Sequence, residues 1–80
     1  MAKEYKIKFK IPNDYNPSSI LNSLPSPISS TMTEIYNYSV NEDGFYLLDN
    51  LVDQSVVSLA MKLFVDEALQ YSDSITIQKV

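Results

Sequence analysis

Residues 5–11 read Tyr5-Lys6-Ile7-Lys8-Phe9-Lys10-Ile11, and this alternation decides the fold. Successive side chains of a strand point to opposite faces. Tyr5, Ile7, Phe9 and Ile11 therefore make one apolar face, and Lys6, Lys8 and Lys10 the other. Such a strand is half-buried and needs a cover over its apolar side. Pro12 lacks a backbone donor and ends it.

Downstream, Asn16-Pro17 is a helix start, with Asn as N-cap and Pro at the first helical position. Ile20, Leu21 and Leu24 give this helix one apolar edge, and Pro25 and Pro27 stop it. Ser26–Thr31 is expected to be loop. Two strands follow, Thr33–Val40 and Phe45–Leu48, around the turn tetrad Asn41-Glu42-Asp43-Gly44, with Gly where positive φ is expected. A four-residue loop pairs Val40 with Phe45, Tyr38 with Leu47 and Tyr36 with Asp49. That register gathers Tyr36, Tyr38, Val40, Phe45 and Leu47 on one face and leaves Ile35, Asn37, Ser39, Tyr46 and Leu48 on the other. A two-residue Asp43-Gly44 turn would set Glu42 opposite Phe45, so the face separation favours the longer loop.

Asn50 or Asp53 can cap a long helix that runs to Gln70 or Tyr71. Its expected core line is Val52, Val56, Leu59, Ala60, Leu63 and Phe64, extended by Tyr71. Ser72–Ser74 form the exit, and Ile75–Val80 read as a last strand with both Ile on one side. The order β-α-β-β-α-β predicts a ferredoxin-like α+β fold, a four-stranded antiparallel sheet with two helices on one face. The first strand would be central and the Lys side chains would line the open face. Eighty residues suit one domain over 1–80.

Composition removes whole classes of function. The chain has no His, no Cys and no Trp, and its cations are six Lys with no Arg, against ten carboxylates, for a net charge of −4. Thiol chemistry, thiolate or imidazole metal sites and His acid–base catalysis are excluded. The bidentate phosphate grip of Arg is absent. Base stacking on a sheet needs exposed aromatics on the first and third strands, but here the first strand exposes Lys and turns its aromatics inward. With the acidic balance, this argues against nucleic acid and anionic membranes as partners. The oxygen ligands near Asn41–Asp43 lack the spacing of a calcium loop. No spacing of Ser, Thr, Tyr, Lys and carboxylates marks a catalytic site. The expectation is a protein that is not an enzyme, with no cofactor and no metal.

Neither a secretory signal nor a membrane span is evident, and with no Cys the expected compartment is the cytoplasm. Phe, Tyr, Met, Ile, Asn and Lys total 31, whereas Gly, Ala, Arg and Pro total 8. This bias fits an AT-rich genome, that of a bacterium or of its mobile elements.

The second helix carries the strongest functional signal, because its apolar surface continues beyond one face. With Val56 at 0°, Val57, Ala68 and Met61 fall at about 100°, 120° and 140°, and Val65 at about 180°. The polar stripe is only Ser55, Ser58, Lys62 and Asp66. Either the first helix and the Ser/Pro loop cover the excess, or another chain does. Val57, Met61, Val65 and Ala68 are accordingly the expected partner-binding residues. The partner is another protein or a second copy. The leading expectation is a small acidic adaptor, subunit or inhibitor, phage-encoded and directed at a host protein. The alternative is a ligand-sensing regulatory domain that dimerises through its sheet.

Overall fold

The computed structural model describes residues 2–80. The chain forms β1 (Lys3–Lys8), α1 (Ser18–Ser23), β2 (Tyr36–Asn41), β3 (Gly44–Asp49), α2 (Gln54–Tyr71) and β4 (Thr76–Lys79). The architecture is α+β. All neighbouring strands run antiparallel in the order β2-β3-β1-β4. The alternating strand is therefore interior, with Ile7 opposite both Phe45 and Ile77.

The hairpin has the register that its two faces demand, Val40↔Phe45, Tyr38↔Leu47 and Tyr36↔Asp49. The ladder extends one pair further than expected, to Asn41↔Gly44, which leaves Glu42 and Asp43 as the turn. Gly44 sits at φ 144°, and a Cβ there would lie 1.9 Å from the Ile7 carbonyl oxygen. The chain's only glycine thus stands where a side chain would collide with β1.

The second strand starts later than its composition suggests. Thr33–Ile35 lie outside β2, and Glu34 instead forms an isolated bridge with Ile28. Ile35, expected on the open face, is buried in the core. Its N–H donates to the Pro27 carbonyl and its carbonyl accepts from Asn50 N–H, so local bonding rather than strand alternation orients it. The Ser26–Thr31 loop is tied down by the same bridge. The Tyr36 hydroxyl donates to the Pro25 carbonyl. At α1, the Asn16 side chain accepts from Ser18 N–H at 3.0 Å, and the helix opens at Ser18, one residue later than expected.

Asp53 caps α2, its carboxylate accepting from Ser55 and Val56 N–H at 3.1 and 3.3 Å. The Ser55 hydroxyl, which also donates to it at 2.7 Å, and then these backbone bonds hold its carboxyl below the usual range. The helix ends at Tyr71 as expected, but it is turned. Its buried line is Val57, Ala60, Phe64 and Ala68, joined by Glu67, while Leu59 is 49% exposed and Val52 48%. At about 100° per residue, the buried line lies roughly 70° from the expected one. Only Ala60 and Phe64 of the expected line are fully buried. Val56 and Leu63 are half-buried and pack against the core.

Ile7, Phe45, Leu47 and Tyr36 from one face of the sheet meet Ile20 of α1 and the buried line of α2 in one core. An aromatic chain runs through it. Tyr36, Tyr38, Phe64, Phe45 and Phe9 follow one another with centroid spacings of 6.1, 5.9, 4.8 and 5.1 Å, the range of favourable ring contacts. Among the described residues, no helix is long and apolar enough to cross a membrane.

Candidate functional site

Two of the four expected partner-binding residues belong to the protein's own core. Ala68 is fully buried and Val57 is 5% exposed. The premise that they turn away from the core line is therefore corrected, and the rotation of α2 is the reason. Met61 and Val65 are half-buried, on the opposite flank of α2 from Val56 and Leu63. There they line a groove of about 410 Å³ with Val57, Tyr5 of β1 and Asp49 of β3.

The groove lies beside α2, which packs on β1 and β3 and against α1. Residues opposite one another in an antiparallel pair share a face. Ile77, opposite Ile7, consequently projects on the helix side, where it remains 52% exposed. All four residues of β4 are exposed. Beside the groove, β4 thus presents Ile77 and Lys79, the latter opposite Tyr5, on the helix side.

At its polar end the groove meets Asp49 and Gln54. Asp49 is buried, and both of its oxygens are occupied. Oδ1 accepts from Leu51 N–H at 2.7 Å, and Oδ2 accepts from the Gln54 amide at 3.4 Å. The first bond supports Leu51 in the left-handed region at φ 61°, a conformation uncommon for a branched side chain. Asp49 therefore fixes the entry into α2. Lys62 at the rim is paired with Asp66 at 2.7 Å along the helix. What the groove offers is shape and apolar surface.

A second buried carboxylate lies under the opposite end of α2. Glu67 accepts from the Tyr15 hydroxyl at 2.7 Å, which locks the segment after β1 against the helix. Burial foremost, then the bond and charge of Glu67, push the Tyr15 phenol well above its ordinary value. The ring of Tyr15 meets Phe9 and Tyr71 edge-on. Across the open face, Tyr46 donates to Glu4 at 2.6 Å, and this bond raises the phenol's pKa. Among the described residues, no cluster of three or more metal-ligating side chains occurs.

Tyr5 and Asp49 were not singled out by sequence reasoning, although Tyr5 heads the alternating strand. Ile77 was placed on a strand but not at an exposed edge. That assignment needs the strand order, which a single strand does not carry. Comparison of the chain with protein-family models, with curated proteins and with solved structures finds no match.

Proposed function

We propose that the chain is a non-enzymatic, cytoplasmic protein-binding module of ferredoxin-like fold, acting as an adaptor, subunit or inhibitor. The order β2-β3-β1-β4 supports the fold assignment. Each helical connection joins two parallel strands that flank a third, β1 to β2 around β3, and β3 to β4 around β1. That is the split β-α-β arrangement. The fold by itself does not name a function.

One observation carries the functional reading. An apolar groove walled by Met61, Val65 and Tyr5 opens beside an edge strand whose Ile77 is half-exposed. Edge strands without cover invite pairing, and peptide or protein partners exploit such edges through main-chain bonds plus side-chain pockets. Lack of Arg and a net charge of −4 weigh against nucleic acid as the occupant.

The test compares the wild-type chain with a Met61→Lys, Val65→Glu variant and with an Ile77→Lys variant. Association is read by sedimentation and by capture from a lysate of the source cell, and folding by circular dichroism. A partner held by the wild-type chain and lost by either folded variant supports the reading. Folded variants that keep every association overturn it. A small molecule that co-purifies without any protein partner would favour the ligand-sensing alternative instead.

A further inference from the structure

We propose that β4 receives an extended acidic segment of a partner protein, added to the sheet as a further strand. The proposal rests on the protein-binding reading above and names the partner's chemistry.

The backbone of β4 is directed for such an addition. Val80 N–H donates to the Glu4 carbonyl at 2.9 Å. Bonding residues alternate along an antiparallel pair, so Gln78 and Thr76, opposite Lys6 and Lys8, also bond to β1. Ile77 and Lys79 therefore turn their N–H and C=O groups away from the sheet. Among the described residues, no strand lies beyond β4, and all four of its residues are exposed. Main-chain donors and acceptors in such a row are matched by another polypeptide in extended form.

Charge decides which polypeptide. β1 and β4 together carry Lys3, Lys6, Lys8 and Lys79 and a single carboxylate, Glu4. The other nine of the ten carboxylates lie elsewhere in the chain, with only Lys10 and Lys62 as cations among them. The one ion pair among the described residues is Lys62–Asp66 on α2, so the ammonium groups of β1 and β4 have no carboxylate partner. Glu4 does not offset them at the edge. Its carboxylate accepts from Tyr46, and Tyr46 belongs to β3, on the side of β1 remote from β4. A basic ribbon thus borders the receptive edge of an otherwise acidic protein.

The two faces of this ribbon set the pattern of the segment. Lys6 and Lys8 share the open face with Gln78 and Thr76. They stand about 10 Å from the line of an added strand, a gap that extended Lys and Glu side chains close between them. On the helix side the added strand lies next to Ile77, which is 52% exposed. Acidic residues toward the open face, alternating with apolar ones toward the helices, satisfy both sides. A second copy of β4 would instead bring one basic ribbon against another. Nucleic acid has no peptide groups to match the edge, and where it extends past the ribbon it meets the acidic remainder of the chain.

The test titrates the intact chain into a fluorescent peptide, Glu-Val-Glu-Val-Glu-Val-Glu, and follows its anisotropy. The wild-type chain should bind it at least about tenfold more tightly than Lys-Val-Lys-Val-Lys-Val-Lys. Equal affinities would overturn the proposal. Only alternate residues of a strand bond to a given neighbour. N-methylation of the acidic peptide at its valines, or else at its glutamates, should therefore abolish binding in one of the two versions and spare it in the other. Binding kept by both versions would overturn strand addition. A Lys6→Glu, Lys8→Glu variant with an unchanged circular dichroism spectrum should bind the acidic peptide about tenfold more weakly or worse and come to prefer the Lys peptide. A variant that keeps the wild-type preference would overturn the charge argument. So would tighter binding of a single-stranded deoxythymidine oligomer than of the acidic peptide, and so would a dimer of the wild-type chain that excludes the peptide. No peptide binding, with a lysate partner still lost in the Met61→Lys, Val65→Glu variant, would refute the edge site alone. No peptide binding and no such loss would refute the binding reading as well.

Discussion

At one edge of the sheet, β2 presents the N–H of Tyr38 outward, and the Asn37 side chain accepts it at 2.7 Å. The Ile28–Glu34 bridge stands just before that strand, and the Tyr36 hydroxyl ties it to Pro25. At the other edge, β4 has exposed side chains throughout and no such internal partner for Ile77 or Lys79. Sheet edges are ordinarily blunted by charge, proline, bulges or covering segments. The β2 edge is blunted by its own side chains and loop, whereas the β4 edge carries one Lys and remains receptive. The contrast shows where this small chain places its stability and where it leaves surface for contact.

The largest expected effect follows from the uneven core. Phe64 touches Phe45 and Tyr38 with centroids at 4.8 and 5.9 Å and is fully buried, under the β2–β3 half of the sheet. Phe64→Ala should cost roughly 3–5 kcal/mol. Ile77→Ala, measured in a denaturant melt at concentrations that keep the chain monomeric, should cost less than about 1 kcal/mol. Equal costs would mean that β4 belongs to the core and that the edges do not differ in kind.

Gly44 offers a sharper test of the interior strand pair that separates the edges. A side chain at φ 144° meets the Ile7 carbonyl within bonding distance, and neither backbone can retreat without breaking the ladder. Gly44→Ala should destabilise by more than about 2 kcal/mol. The hydrogen–deuterium exchange of β1 should rise with it. A neutral substitution would show that β1 and β3 separate readily at the turn, and that the sheet is less firmly joined in its middle than at β2.

The hairpin register was legible because Tyr38, Val40, Phe45 and Leu47 separate cleanly from Asn37, Ser39 and Tyr46, and a one-residue slip would mix the faces. The interior position of β1 followed from the alternation of Tyr5–Ile11 and the order of the elements, although the strand spans Lys3–Lys8 and closes before Phe9 rather than at Pro12. The rotation of α2 was not legible. Apolar residues surround most of that helix, and both Val56/Leu59/Leu63 and Val57/Phe64/Ala68 satisfy a helical period. The six residues of α1 cover only one flank, and the sequence pattern does not say which. Glu67 belonged to neither line. Tyr15, 52 positions away, satisfies its carboxylate inside. The candidate groove was thus half legible, with Met61 and Val65 found and Tyr5, Asp49 and Ile77 missed, because the strand order alone brings those residues together.

Tyr36 tests the blunting of the β2 edge through pH. Burial first, and then the neighbouring Tyr38, push its phenol up to about 12 from an ordinary 10.0, and Tyr15 moves in the same direction. A raised pKa in the folded state means that the unfolded chain ionises first as pH climbs. The stability contributed by the Tyr36 phenol is complete below about pH 10 and is lost as pH rises through about 12. Tyr36→Phe should cost about 1 kcal/mol at neutral pH through the lost bond to Pro25. Its stability should then fall less steeply than that of the wild-type chain between those two pH values. Urea melts at intervals across the range decide it, and parallel curves would show that the Tyr36 hydroxyl does not hold the loop to the edge.

The smallest effect on stability should come with a change in association. Asn37 is exposed and spends its side-chain oxygen on the outward N–H of Tyr38. That bond gives the edge donor a partner without extending the sheet. Asn37→Ala removes the partner but leaves the Tyr36–Tyr38–Phe64 packing beneath untouched, so folding stability should stay within about 0.5 kcal/mol of wild type. The freed N–H, beside the outward groups of Tyr36 and Val40, then resembles the donor row of β4. Unpaired donors on a flat edge template further strands, and a chain with two receptive edges can add copies without closing. Sedimentation of Asn37→Ala should therefore reveal species larger than any formed by the wild-type chain, increasing with concentration. Adding Ile77→Pro, which removes an outward donor from β4 where proline is tolerated at an edge, should return the distribution to dimers or smaller. An Asn37→Ala chain that associates no further than wild type would show that the Ile28–Glu34 bridge and its loop protect the β2 edge without Asn37, and the difference between the edges would then rest on covering segments alone.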